Sequence, residues 1–255
     1  DPTLVRDTME PVLPIALPSA RYFTTVELGD WIDLCIRAGV PHIPAERVAT
    51  ASSLALYEHC EPLDTPPPAD VIAFWKALNK FRQAHPTGYM LRWSCCAMSD
   101  VKLHLSKGRP EWRPEFMELH VDDFRAFDII AEHPSPELSA WGRPWVEIET
   151  LDGYPIEYRA FVIDGEIVGV SNYYPQRALT LTAERQIDIN SVYELTRKLV
   201  TAQTLPINCP QAHELDLTRN QFTADFVRLA NGSISFLEGG PPHTPRFGAH
   251  PCCFV

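Results

Sequence analysis

Two turn signals, Asp164-Gly165 and Asn231-Gly232, constrain this chain more than any other feature in it. An Asx-Gly pair between apolar runs is the strongest short-range mark of a β-hairpin, because both residues tolerate positive φ. The first closes IEYRAFVIDGEIVGVSNYY (156–174) and the second closes QFTADFVRLANGSISFLE (221–238). Between them, INSVYELTRKLVTAQT (189–204) has helical periodicity, with Asn190 or Ser191 as its cap. Two antiparallel hairpins separated by a helix make the C-terminal half α+β.

The remainder is a mixed α/β portion. VELGDWIDLCIRAGV (26–40) places Trp31, Ile32, Leu34 and Cys35 at helical spacing and ends at Gly39. PADVIAFWKALNKFRQAH (68–85) predicts a second helix, with Pro68 near its start. GYMLRW (88–93), MELHV (117–121) and WVEIET (145–150) are expected as strands, and Asp122-Asp123 as the cap of a helix over FRAFDIIAEH. A chain of 255 residues can hold one large domain or two packed lobes. The expected division is 1–85 and 86–255.

The charge balance narrows the partners. With 22 basic against 33 acidic side chains the net charge is −11, which argues against nucleic acid, since phosphate binding needs a basic stripe. No apolar run approaches the roughly 20 residues of a membrane span, so no membrane partner is expected. The first residues lack the charged-then-apolar pattern of a secretory signal. Seven cysteines with no C-x-x-C spacing predict reduced thiols and a cytoplasmic protein.

The hairpins also carry the chemistry. Glu157 and Arg159 stand two apart, so both project from one face of their strand. They form either a structural ion pair or an Arg aimed at phosphate, which its planar fork suits. With a turn at Asn231-Gly232, residue 230 pairs with 233, and Asp225 falls opposite Glu238. Two carboxylates so placed lie about 5 Å apart and repel unless a positive group intervenes. A divalent cation is one remedy, and Mg²⁺ favours one or two carboxylates plus substrate phosphates; a solvated face with slipped register is the other reading. After Glu238 the sequence Gly-Gly-Pro-Pro predicts an abrupt turn away from the strand.

Arg92, inside the apolar run YMLRWS, needs a buried partner, either a carboxylate or a ligand phosphate. Downstream lie Asp100, Lys102 and Lys107, without the G-x-x-x-x-G-K-[ST] loop; no G-x-G-x-x-G occurs either. Any nucleotide is therefore held without those loops. His243 and His250 flank the terminal segment as loop residues or substrate contacts. Cys95 and Cys96, with no paired His, are expected to pack rather than attack.

Taken together, these parts resemble the ATP-grasp superfamily. YMLRWSCCAMSDVK is similar to the strand whose basic residue contacts the nucleotide. WVEIETLDGYPIEYRAFVIDGEIVGVS resembles the hinge strand and its E-[YF]-R-x-F-V hairpin, and FTADFVRLANGSISFLEGGPP resembles the closing metal hairpin. The likeness spans roughly residues 88–242. It is nearest to the divergent clade with Arg in place of the usual nucleotide-binding Lys, a clade similar to the cell-division-cycle assembly factors.

The resemblance implies an α+β fold of two lobes, with antiparallel sheets enclosing a nucleotide cleft and the N-terminal lobe on the substrate side. It implies ATP and Mg²⁺ as cofactors. Arg92 would contact the α-phosphate and adenine side, and Glu147 or Glu149 the ribose, with backbone near Ile148 reading adenine. Arg159 would face the triphosphate, Lys102 a phosphate, and Asp225 and Glu238 the metal. Arg246, His243 and His250 would run along the substrate side. The implied activity is an ATP-dependent ligase joining a small-molecule or peptide carboxylate to an amine or thiol. The other implied role is an ATP-binding assembly factor acting on a protein partner. One departure favours the latter: Gly240 stands where the family carries an Asn two residues after the metal Glu.

Overall fold

Two antiparallel sheets, each with helices laid on it, account for the protein's two apolar cores. The computed structural model describes residues 22–59, 65–121, 123, 137–209 and 220–242. In chain order its elements are β1 (Phe23–Thr24), α1 (Leu28–Ala38), β2 (Glu46–Ser52), α2 (Ser53–Glu58), α3 (Ala69–Ala84) and β3 (Tyr89–Trp93). Next come α4 (Ser99–Leu105), β4 (Glu137–Pro144), β5 (Thr150–Leu151), β6 (Tyr154–Pro155), β7 (Glu157–Ile163) and β8 (Glu166–Asn172). The last are α5 (Ala183–Ala202), β9 (Ile207–Asn208), β10 (Phe222–Arg228) and β11 (Ile234–Gly240). The architecture is α+β.

The first sheet has strand order β2-β4-β3. One face receives α3, whose Val71, Phe74, Leu78 and Phe81 recur at the i, i+3, i+7 spacing of a single helical stripe. Trp93 stacks on Phe74 at 5.8 Å between ring centres. Gly142 lets Phe81 press against β4, since a Cβ there would lie 2.1 Å from the Phe81 ring. The other face carries Met90, Arg92 and Arg143 toward a cleft. This core draws on both sides of residue 85.

The second sheet, β11-β10-β7-β8, packs against α1 and α5. Trp31 of α1 is its centre, with the rings of Phe23, Phe222 and Phe236 at 4.8, 5.1 and 5.2 Å. Gly239 makes that seat: a Cβ at 239 would stand 1.9 Å from Trp31 Cε2. Thus a helix from the N-terminal quarter is built into the C-terminal sheet.

Both hairpins form. Asp164 and Gly165 have φ of 54° and 80°, the pair of positive values that a two-residue type I′ turn requires, and Ile163 pairs with Glu166. The second hairpin differs from expectation. Its loop has three residues, 230–232, closed by Gly232 N–H to the Leu229 carbonyl at 2.8 Å, with Gly232 at φ 84°. Arg228 therefore faces Ile234 and Phe226 faces Phe236. A β-bulge at Leu237 then shifts the register by one, so that Asp225 does face Glu238. The expected pairing is present, reached by two compensating one-residue departures.

Other expectations are corrected. The segment MELHV is no strand: a 3₁₀ turn, Pro114–Met117, takes in its first residue, and the Met117 carbonyl accepts from Arg82 Nε at 2.8 Å. The strand assigned to WVEIET lies earlier, in β4, and 145–149 is irregular apart from a bridge from Ile148 to Leu229. α5 begins six residues before Ile189, because Thr182 and not Asn190 or Ser191 caps it, accepting from Arg185 N–H at 3.3 Å. Asp123 binds Ser99 N and Oγ at the start of α4, at 2.8 and 2.9 Å; Asp122 and the helix expected over FRAFDIIAEH lie outside the described residues. Finally, β11 does not stop at Glu238 but runs on to Gly240, which pairs with Thr223. Neither Gly239 nor Gly240 has positive φ.

Candidate functional site

The sheet register builds a row of charges across three strands. Arg159 on β7 faces Asp225 on β10, which faces Glu238 on β11. Like carboxylates at neighbouring ladder positions repel, and the described structure answers this with basic side chains. Arg159 grips Asp225 bidentately, Nε to Oδ1 and Nη2 to Oδ2, both at 2.6 Å. Asp225 is 2% exposed, so this fork is a strong, specific clamp. Burial opposes the Arg159 charge, but Asp225 overcomes that and holds its pKa above the ordinary value. Of the two readings of Arg159, an ion pair is present in this state, with Asp225 and not Glu157 as the partner.

Glu238 is held from the opposite sheet. Arg92 Nη1 reaches its Oε2 at 3.0 Å from β3, and Lys102 Nζ reaches Oε1 at 2.5 Å from α4. Burial would raise this carboxyl, but Lys102 and Arg92 hold it well below the usual range. Arg92 thus finds the buried partner its place in an apolar strand demanded. Tyr173 lies beneath the cations, its ring 4.5 Å from the Arg159 guanidinium carbon and 5.4 Å from Lys102 Nζ. The bulge at Leu237 is what makes this site. Without it, residues 236 and 238 would share a face; with it, Phe236 enters the core and Glu238 turns to the cleft.

Beside this row opens a cleft between the sheets, about 560 Å³ of space continuous with solvent. Its walls are apolar: Met90, Val101 and Leu105 on one side, Trp145, Ile148 and Leu237 among those on the other. Its charged end is formed by Arg92, Lys102, Arg143, Glu157 and Glu238. Glu157 is 1% exposed and its Oε1 has no hydrogen-bond partner. Burial, offset only in part by Lys102, pushes its carboxyl up to about 8.

The structure therefore brings together Arg92, Lys102, Arg159, Asp225 and Glu238, with Ile148 on the cleft wall. It does not bring Glu149 there. That carboxylate binds Arg228 Nε at 2.5 Å and Arg185 Nη2 at 3.1 Å, within an ion cluster completed by Asp188, Glu184 and Tyr158. Burial works against its ionisation, but the two arginines hold its pKa below the ordinary value. Glu147 is exposed, and its carbonyl accepts from Ala230 N–H at 3.0 Å. His243, Arg246 and His250 lie outside the described residues. Sequence reading missed Arg143 and Tyr173. Arg143 carried a legible signal, an arginine within the apolar run SAWGRPW, the same signal that singled out Arg92; Tyr173 carried none.

Were the site to hold a metal, the donors would be Asp225 and Glu238. Among the described residues no third His, Cys, Asp or Glu completes a metal-binding group with them. Two carboxylates suit Mg²⁺ shared with phosphates better than a cage made wholly of protein. Of the seven cysteines, Cys35, Cys95, Cys96 and Cys209 are described, and none of these forms a disulfide. The Cys96 hydrogen bond and burial keep Cys95 well above the usual thiol range, consistent with packing. No helix among the described residues is long and apolar enough to cross a membrane.

No family model and no curated protein sequence matches the chain. Among solved structures it is similar to D-cycloserine synthetase DcsG, at 17% identity and TM-score 0.42, over 86% of this chain and 63% of that one. It is also similar to Cdc123 from Schizosaccharomyces pombe, at 14% identity and TM-score 0.42, over 85% of this chain and 83% of that one. A third is D-alanine-D-alanine ligase from Coxiella burnetii, at 10% identity and TM-score 0.39, over 85% and 47%. The chain spans less than two thirds of the two synthetase and ligase chains.

Proposed function

We propose that the cleft binds ATP with Mg²⁺ and that the protein is an ATP-dependent ligase, joining a carboxylate to an amine through an acyl phosphate. The observation that carries this reading is the row Arg159–Asp225–Glu238, capped from the other sheet by Arg92 and Lys102 at the end of an apolar slot. An apolar slot ending in convergent charges suits a flat base with a phosphate tail.

Asp225 and Glu238 would hold Mg²⁺, which when bound neutralises charge on the phosphates. The arginines and Lys102 then exchange carboxylate for phosphoryl oxygens, donors of the same geometry serving either anion. Their work is positional and electrostatic: Arg159 and Arg92 orient the phosphates, and the apolar wall keeps water from the reacting group. No nucleophilic side chain is needed, because the substrate carboxylate attacks the γ-phosphoryl group with ADP leaving, and the amine then attacks the acyl carbon, loses a proton and displaces phosphate.

Thermal melting tests the binding. MgATP at one hundred times its dissociation constant adds about 2.7 kcal/mol, or roughly 5–11 °C for a chain of this size. No shift would overturn the reading. ADP release upon adding pools of amino acids and small peptides tests turnover. A second reading, an ATP-binding assembly factor with a protein partner, is favoured by Gly240, which pairs with Thr223 and offers no side-chain ligand. MgATP binding without stimulated ADP release selects it.

A further inference from the structure

Among the described residues, Arg143 is a buried cation with no partner. It is 3% exposed, its Nε has no hydrogen-bond acceptor, and among the described residues its guanidinium joins no ion pair or hydrogen bond. Every other basic group at the charged end is engaged. Arg92 and Lys102 share Glu238, and Arg159 is clamped to Asp225. The carboxylate that attracts Arg143, Glu238, is thus already committed twice, and Arg92 adds repulsion. Burial, with Arg92 reinforcing it, pushes the Arg143 pKa down to about 9, while Glu157 nearby in the cleft is raised to about 8 and contributes little negative charge at neutral pH. The charged end therefore holds more cations than anions, within a protein of net charge −11.

Such a residue lowers stability. An isolated charge out of water is tolerated only when something compensates it. Here the side chain sits on β4 immediately before Pro144 and Trp145, where the cleft wall passes from charged to apolar. That is the junction a base-plus-phosphate ligand would straddle.

We propose that Arg143 is a ligand-binding residue, kept without a protein partner so that it can take a phosphoryl oxygen of the nucleotide at the junction of the apolar slot and the charged end. The assignment rests on the nucleotide reading of the cleft. It makes Arg143 a group whose stabilising partner arrives with the ligand, so the same side chain weakens the free protein and strengthens the complex.

The test compares wild type, Arg143→Met and Arg143→Lys by thermal melting and by calorimetric titration with MgATP, inorganic pyrophosphate and adenosine. Arg143→Met is expected to melt higher than wild type in the absence of ligand. It should bind MgATP and pyrophosphate at least tenfold more weakly, with adenosine unchanged. Arg143→Lys should recover part of the pyrophosphate affinity, since a point charge lacks the guanidinium fork. A lower melting temperature with unchanged MgATP affinity in Arg143→Met would overturn the proposal and make Arg143 a structural residue. If wild type itself binds neither MgATP nor pyrophosphate, the nucleotide reading fails, and the proposal with it.

Discussion

Removing Glu238 by Glu238→Ala is the sharpest probe of how the cleft is held. Its carboxylate is 3.0 Å from Arg92 and 2.5 Å from Lys102, and the three side chains are only 15%, 4% and 15% exposed. The substitution leaves two buried cations facing an already unpartnered Arg143. Breaking a buried pair by deleting one partner costs about 3–5 kcal/mol. For a chain of this length that lowers the melting temperature by roughly 6–20 °C. The pH dependence supplies a second signature. The folded carboxyl is held well below its ordinary value of 4.5. Glu238 thus stabilises above that pH, and the contribution is lost as pH falls through the depressed value. The gap between wild type and variant should close in acid. Pyrophosphate should restore more stability to the variant than to wild type, an anion replacing the lost carboxylate. Melting measured from pH 3 to 8 checks each point. A loss below about 1 kcal/mol at pH 7, the range of exposed ion pairs, would refute the picture of Glu238 as the anchor of both sheets.

Three further outcomes are expected. Gly239→Ala places a Cβ 1.9 Å from Trp31, whereas Gly240→Ala meets only Thr223 Oγ1 at 3.1 Å; overpacking of the first kind costs about 1–3 kcal/mol or more, so the two variants should differ clearly in denaturant midpoint, and equal midpoints would contradict the packing. Glu157→Gln tests the carboxyl raised to about 8. Between its unfolded pKa of 4.5 and about 8 the folded state holds a proton that the unfolded chain has lost, so wild-type stability should fall across that window and the variant should lack the fall; parallel profiles would sink the assignment. Arg159→Met strands Asp225, 2% exposed, and should cost about 3–5 kcal/mol by urea unfolding, an effect a surface-screened pair would not produce.

The hairpins and helices α1 and α3 were legible because local rules fix them: Asx-Gly turns, a Gly39 in the left-handed region at φ 63°, and an apolar stripe. The pairing of Asp225 with Glu238 was legible for a related reason, although a two-residue turn is not how it arises. What escaped depends on distant partners. The face of β4 is decided by Phe81 pressing on Gly142, and the ion cluster that claims Glu149 is assembled by Arg185 and Arg228, 36 and 79 residues away. The carboxylate partners of Arg92 and Arg159 come from 146 and 66 residues away, so only the need for a partner could be read locally. Arg143 shows the converse, a need that the described residues leave unmet.

The bulge at Leu237 gives the second hairpin a parity rule. Strand faces alternate, so drawing Leu237 into the regular pleat instead of leaving it bulged would exchange core for cleft along everything beyond it. The three-residue turn and the extra residue at 237 are two odd steps that together make an even one. A regular two-residue turn at Asn231-Gly232 with no bulge would leave Asp225 facing Glu238 but set Phe236 opposite Val227, away from Trp31; deletion of Leu237 would remove the bulge and still leave Glu238 opposite Asp225 on the cleft face. The face each side chain takes is therefore set by where the one extra residue sits, so within residues 229–238 the position of a length change matters more than its size.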